Sequence, residues 1–107
     1  MSEANNLDQS LNIKKIDSET VNIQINSNDM LMSIVGQFNQ NLKELEKLTN
    51  TIIFFRGNSI TCKGKEANLK EFSEAIKFLI NKFLLTKIIE KGDIILSVKK
   101  NMKPKNS

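Results

Sequence analysis

The chain has 107 residues, a formal net charge of +4 and 39% apolar residues, which is enough for one small domain and no more. With no histidine and one cysteine, Cys62, it lacks the means for histidine-based catalysis, the usual zinc sites and an internal disulfide. Arg56 is the only arginine among sixteen cations, so the positive charge is mostly lysine, which touches phosphate as a point charge without reading bases. The start, MSEANNLDQS, is polar and acidic and does not resemble a secretory signal. No apolar run approaches the ~18 residues of a membrane span. A reduced, cytoplasmic setting away from membranes is expected.

Residues 1–19 have scattered apolar positions without a sustained period and are expected to form a disordered arm that pairs at most transiently. Thr20 to Asn26 alternates, with Val21, Ile23 and Ile25 on one side, which predicts a half-buried strand. Ser27-Asn28-Asp29 supplies turn and N-cap chemistry for the helix that follows. Leu31, Ile34 and Val35 share one face of that helix, and Phe38, Leu42, Leu45 and Leu48 continue a helical spacing. Gly36 interrupts it. An interior glycine costs ~1 kcal/mol against alanine, and Gly-Gln-Phe-Asn-Gln-Asn is poor helix material. Two helices meeting at Gly36–Asn39 are therefore favoured over one long rod, with Asn39 or Asn41 capping the second.

Thr51 to Phe55 is β-branched and aromatic and reads as a strand. Both of its faces are apolar, so it is expected either to be covered on two sides or to lie beneath something absent from this chain. Arg56-Gly57-Asn58-Ser59 reads as a hairpin turn, with Gly57 and Asn58 at positive φ. Ser59 to Lys63 returns with Ile60 and Cys62 inward, which makes Cys62 a packing residue. A helix of about Glu66 to Ile89 follows, with Leu69, Phe72, Ile76, Leu79 and Phe83 as its core stripe. Gly92 is expected to be its left-handed cap, and Ile94 to Val98 a last short strand. Residues 99–107, KKNMKPKNS, read as a basic linker or tail.

No phosphate-loop, dinucleotide, zinc-protease or serine-elbow motif occurs, and the carboxylates lie beside lysines on helix faces. The chain alone is not expected to be an enzyme. What remains is an order of elements, β-α-α-β-β-α, with a glycine corner between the first two helices. This α+β order, a small antiparallel sheet packed on one side by helices, resembles the KH fold over residues 20–98. In KH domains a GxxG loop at that corner clamps nucleic-acid backbone. Here the loop is Gly36-Gln37-Phe38-Asn39, with asparagine at the second glycine position and Gln37 and Phe38 between.

The words of the sequence carry a second resemblance. VGQFNQNLKELEKL, then FFRGNSITCKG, then a long helix, is similar to the N-terminal domain of PhoH-like proteins, the phosphate-starvation-inducible family of predicted ATPases. The matching positions are Gly36, Asn41, Leu42, Leu45 and Glu46, then Arg56, Gly57, Asn58, Ile60 and Gly64. The resemblance implies an accessory domain that binds single-stranded RNA or presents it to a P-loop ATPase domain of the parent protein. ATP and Mg²⁺ would then belong to that absent domain, with no cofactor in this chain and any oligomer formed through the parent. The implied nucleic-acid-binding residues are Gly36, Gln37, Phe38, Asn39, Asn41, Lys43, Arg56, Lys63 and Lys65. Arg56 has two readings: it contacts phosphate or the ATPase domain, or it pairs locally with Glu46. The alternative function is a structural module docking on the ATPase domain or another subunit, with Ile53 and Phe55 as the buried face and no nucleic-acid binding.

Overall fold

Four antiparallel strands form the sheet, and all four helices lie on one side of it. The computed structural model describes residues 10–99; the remainder of the expected arm (1–9) and tail (100–107) lies outside the described residues. In chain order the elements are β1 (Leu11–Asp17), β2 (Thr20–Ile25), α1 (Asn28–Val35), a 3₁₀ turn (Gln37–Asn39), α2 (Gln40–Thr49), β3 (Ile52–Arg56), β4 (Ser59–Lys63), α3 (Glu66–Thr86) and α4 (Lys91–Lys99). The strand order is β1-β2-β4-β3. The α+β class and the β-α-α-β-β-α run are present from β2 to α3, with β1 added before it and α4 after it.

The core follows from the two periodicities. Val21, Ile23 and Ile25 from β2, with Ile60 and Cys62 from β4, point inward at alternate positions. They meet Leu31, Ile34 and Val35 of α1, Leu42 and Leu45 of α2, and the α3 stripe of Leu69, Phe72, Ile76, Leu79 and Phe83, all buried. Ser27 begins α1 as expected, its hydroxyl accepting from the Met30 amide at 3.3 Å. Asn50 ends α2 in a left-handed conformation, φ 55°.

Five local expectations are corrected. Residues 11–17 are not part of a disordered arm: they pair with β2 along its length, Leu11 opposite Ile25 and Lys15 opposite Val21. Ile94 to Val98 is helix, not strand; Asp93, Ile94, Ser97 and Val98 form the buried stripe of α4 at i, i+1, i+4 and i+5. The long helix stops at Thr86, and its left-handed cap is Lys87, φ 65°, while Gly92 lies inside α4. At the hairpin only Gly57 has positive φ, 59°, the pattern of a turn with glycine at its first central position. Finally, of the two readings of β3, cover on both sides from within the chain is not found: one face only is covered. Ile53 and Phe55 are half-buried toward the helices, whereas Ile52 and Phe54 remain 57% and 52% exposed. The apolar residues open to a partner are thus Ile52 and Phe54.

Candidate nucleic-acid interface

The corner between α1 and α2 is built from the glycine outward. Gly36 sits at φ 79°, ψ 170°, a region essentially restricted to glycine. A Cβ there would lie 2.7 Å from Cγ and Nδ2 of Asn41, so space as well as backbone demands glycine. Asn41 occupies that space for a reason: its Nδ2 donates to the Ser33 carbonyl oxygen at 3.2 Å, satisfying an acceptor in the last turn of α1. The two helices are thereby tied across the corner by one side chain. The expected capping role of Asn39 or Asn41 is not found; Asn39 holds the N-cap position in left-handed geometry without a side-chain cap bond.

Gly36 N–H donates to Met32 O at 2.9 Å, and Asn39 N–H to Gly36 O at 3.2 Å. Phe38 takes φ 55°, ψ 31° and Asn39 φ 59°, ψ 24°. Left-handed backbone is disfavoured for a bulky residue by roughly 1–2 kcal/mol. The conformation turns Phe38 out of the fold: 85% of it is exposed, the highest value among the exposed large apolar side chains of the described residues. An aromatic at a strained position, with no burial to offset the strain, is suited to meeting a flat ligand.

A groove of about 370 Å³ begins at this corner and runs between α2 and α4. Gln40, Asn41, Lys43, Glu44 and Lys47 line one wall, and Lys91, Ile94 and Ile95 the other. Three ammonium groups face one carboxylate, so the groove has a positive balance. Its α4 wall is fixed from below. Lys82 Nζ donates to Asp93 Oδ1 at 2.8 Å, and the Glu90 amide donates to Asp93 Oδ2 at 2.8 Å. These hydrogen bonds, first that from Lys82, hold the Asp93 carboxyl below its ordinary pKa. A second depression, about 590 Å³ between β1, β2 and α3, is bordered by Ile13, Val21 and Leu69 and by the Lys15–Glu66 ion pair at 2.9 Å.

The structure divides the predicted site residues. Gly36, Gln37, Phe38, Asn39, Asn41 and Lys43 come together at the corner and the mouth of its groove. Arg56 and Lys63 do not join them; they project from the sheet face opposite the helices, at the two ends of the hairpin strands. Lys65 is exposed at the N-cap of α3. Arg56 does not pair with Glu46, whose Oε2 instead accepts the Ile53 amide at 2.7 Å, covering a donor on the open edge of β3. Lys47 and Lys91 were missed; their signal is the i, i+4 spacing of Lys47 from Lys43, and Lys91 was hidden by reading its surroundings as a turn. Cys62 is buried, which pushes its thiol up to about 11, so it stays protonated near neutrality. Among the described residues no helix is long and apolar enough to cross a membrane. Comparison with protein-family models and with curated proteins finds no match to this chain.

Proposed function

We propose that this chain is a KH-like accessory domain that binds single-stranded RNA, of the kind that precedes the P-loop ATPase in PhoH-like proteins. The observation that carries the reading is Phe38, held outward on left-handed backbone at a glycine corner that opens into a lysine-lined groove. In this reading a base stacks on the Phe38 ring, and the phosphates on either side meet Lys43, Lys47 and Lys91. Stacking on an aromatic is worth about 1–3 kcal/mol per base and tolerates any sequence. Three neutralised phosphates give a log–log salt slope of about −2 on a single strand. The polymer is single because a base must leave its stack to reach Phe38.

The test is titration of an isotope-labelled chain with a short oligouridylate at low salt. Amide shifts at Gly36–Asn41 and Lys43, lost in Phe38→Ala, are expected. Silence at those residues would overturn the reading. A docking module is the second reading, favoured by Leu85, 83% exposed, and the neighbouring exposed Ile88 at the α3–α4 connection; adjacent exposed apolar side chains mark interaction surfaces. Binding of a P-loop domain that Leu85→Ser abolishes, with a silent corner, is its expected signature.

A further inference from the structure

We infer that the outer face of the sheet is a second contact surface for single-stranded RNA, separate from the corner. It rests on the reading above only for the polymer; the residues and the face are different. Pairing places Lys14 opposite Asn22, Asn22 opposite Thr61, and Thr61 opposite Phe54. Directly opposed residues share a face, so these four form one row across the whole sheet. The adjacent row is Asn12, Gln24, Ser59 and Arg56, and the row on the other side is Asp17, Thr20, Lys63 and Ile52. All helices pack on the other side, and no described element covers these rows.

Their charge balance is positive, three cations against one carboxylate at a corner of the face. Lys14, Arg56 and Lys63 are cations, and the amides and hydroxyls between them are neutral hydrogen-bonding groups. The Asn22 amide already donates to Thr61 Oγ1 at 2.9 Å, which stiffens the middle of the row. The one carboxylate in these rows, Asp17, ends the Lys63 row at the β1–β2 turn, where its Oδ1 is engaged by the Glu19 amide at 2.8 Å. A second copy of the chain would bring cation against cation, whereas a polyanion supplies the missing charge. Phe54, half exposed on the edge strand two residues from Arg56, adds the aromatic plane that a base requires. Three inter-strand steps of about 4.8 Å separate Lys14 from Phe54 by about 14 Å, and a four-stranded sheet of this kind has room for about two or three bases.

The experiment uses the whole chain, a fluorescein-labelled oligouridylate decamer and 50 mM salt as an order-of-magnitude low-salt condition, read by anisotropy and amide shifts. Phe54→Ala is expected to weaken binding about tenfold. Arg56→Gln with Lys63→Gln is expected to flatten the salt slope by about 1.4, two phosphates at about 0.7 each. Amides of Asn22, Phe54 and Thr61 should shift in wild type and still shift in Phe38→Ala. If both sheet variants bind as wild type and those amides stay silent, the inference is overturned, while shifts at Gly36–Asn41 would leave the corner reading standing. Shifts on the sheet with a silent corner support this surface and remove the other. Sedimentation showing a dimer that Phe54→Ala dissolves, with no RNA shifts on the face, also overturns it, the occupant then being a second copy. The three side chains are exposed, and an unchanged melting temperature confirms that each variant is folded.

Discussion

Between α1 and α2 the chain turns through Gly36–Asn39; between α3 and α4 it turns through Lys87–Glu90. Both connections join packed helices, both contain left-handed residues, and both leave a large apolar side chain in solvent, Phe38 in one and Ile88 in the other. Their fastenings differ. The first is tied by an amide, Asn41 on Ser33 O, fitted against a glycine that tolerates no Cβ. The second is tied by a charge, Asp93, shared between Lys82 and the Glu90 amide. The neutral tie is blind to pH and, set against Gly36, intolerant of volume; the charged tie responds to pH. The corner that is fixed by shape is also the one beside the basic groove, and the RNA contact proposed above needs a support that neither titrates nor moves.

The largest effect should come from volume at the corner. Gly36→Ala places a methyl against Asn41 on a backbone that L-residues avoid, and detaches Asn41 from Ser33; about 3–4 kcal/mol of stability is expected to go. Urea denaturation measures it. Asn41→Ala alone should cost about 1 kcal/mol, and the double variant should cost less than the sum, because the collision is then absent. A Gly36→Ala protein within about 1 kcal/mol of wild type would show that the corner is not locked.

Charge should matter next, and only at the other connection. Asp93→Ala removes two hydrogen bonds to a carboxylate, at an expected cost of about 2 kcal/mol. The folded pKa of Asp93 is depressed. Its contribution is therefore fully present above the unfolded carboxylate value near 3.9 and is lost as pH falls through the lower folded value. Stability curves from pH 7 into that acid range should show this loss in wild type and not in Asp93→Asn. The cost of Gly36→Ala should stay constant over the same range. A Gly36→Ala penalty that varies with acid as Asp93 does would join the two connections into one unit.

These two connections also mark what could be read from residues alone. The glycine corner, the hairpin and the α3 stripe were legible because each sets a period or a backbone demand that sequence expresses directly. The added strand β1 was not. Its alternation is broken on an edge strand where Lys15 reaches inward to Glu66 while Ile16 stays exposed, beside a register shift between Lys15 and Asp17. Helix α4 was hidden by Ile-Ile-Leu-Ser-Val, a β-rich spelling, and by a buried stripe half made of polar groups, Asp93 and Ser97. Glu90 and Asp93, three apart, held the available clue, a carboxylate reaching back to a helix-start amide. The geometry of the candidate site was legible only as a bend at Gly36. Nothing in the letters says that Phe38 is left-handed, because a bulky residue there is held by its neighbours rather than by its own preference. Arg56 and Lys63 were grouped with the corner because sequence proximity to the hairpin does not say which side of a sheet a residue serves; the alternation does, once the register is known.

The smallest effects compare strain itself. Phe38→Asn places a residue that accepts left-handed geometry where phenylalanine is disfavoured, and about 0.5–1 kcal/mol of stability is expected to be gained. Lys87→Gly relieves the same conformation at the end of α3, but it removes the Lys87 ammonium from its position 5.4 Å over the Phe83 ring, worth about 0.5–1 kcal/mol at an exposed site, so its net effect should be near zero. Binding separates the pair more sharply than melting does. With RNA the first variant should lose about tenfold in affinity, the stacking plane being gone, and the second should lose nothing. A variant that becomes more stable while binding worse identifies strain kept for contact with a ligand. If Phe38→Asn instead stabilises the fold and leaves oligouridylate binding untouched, the exposed ring is a residue of packing history, and the groove beside it must work without a stacked base.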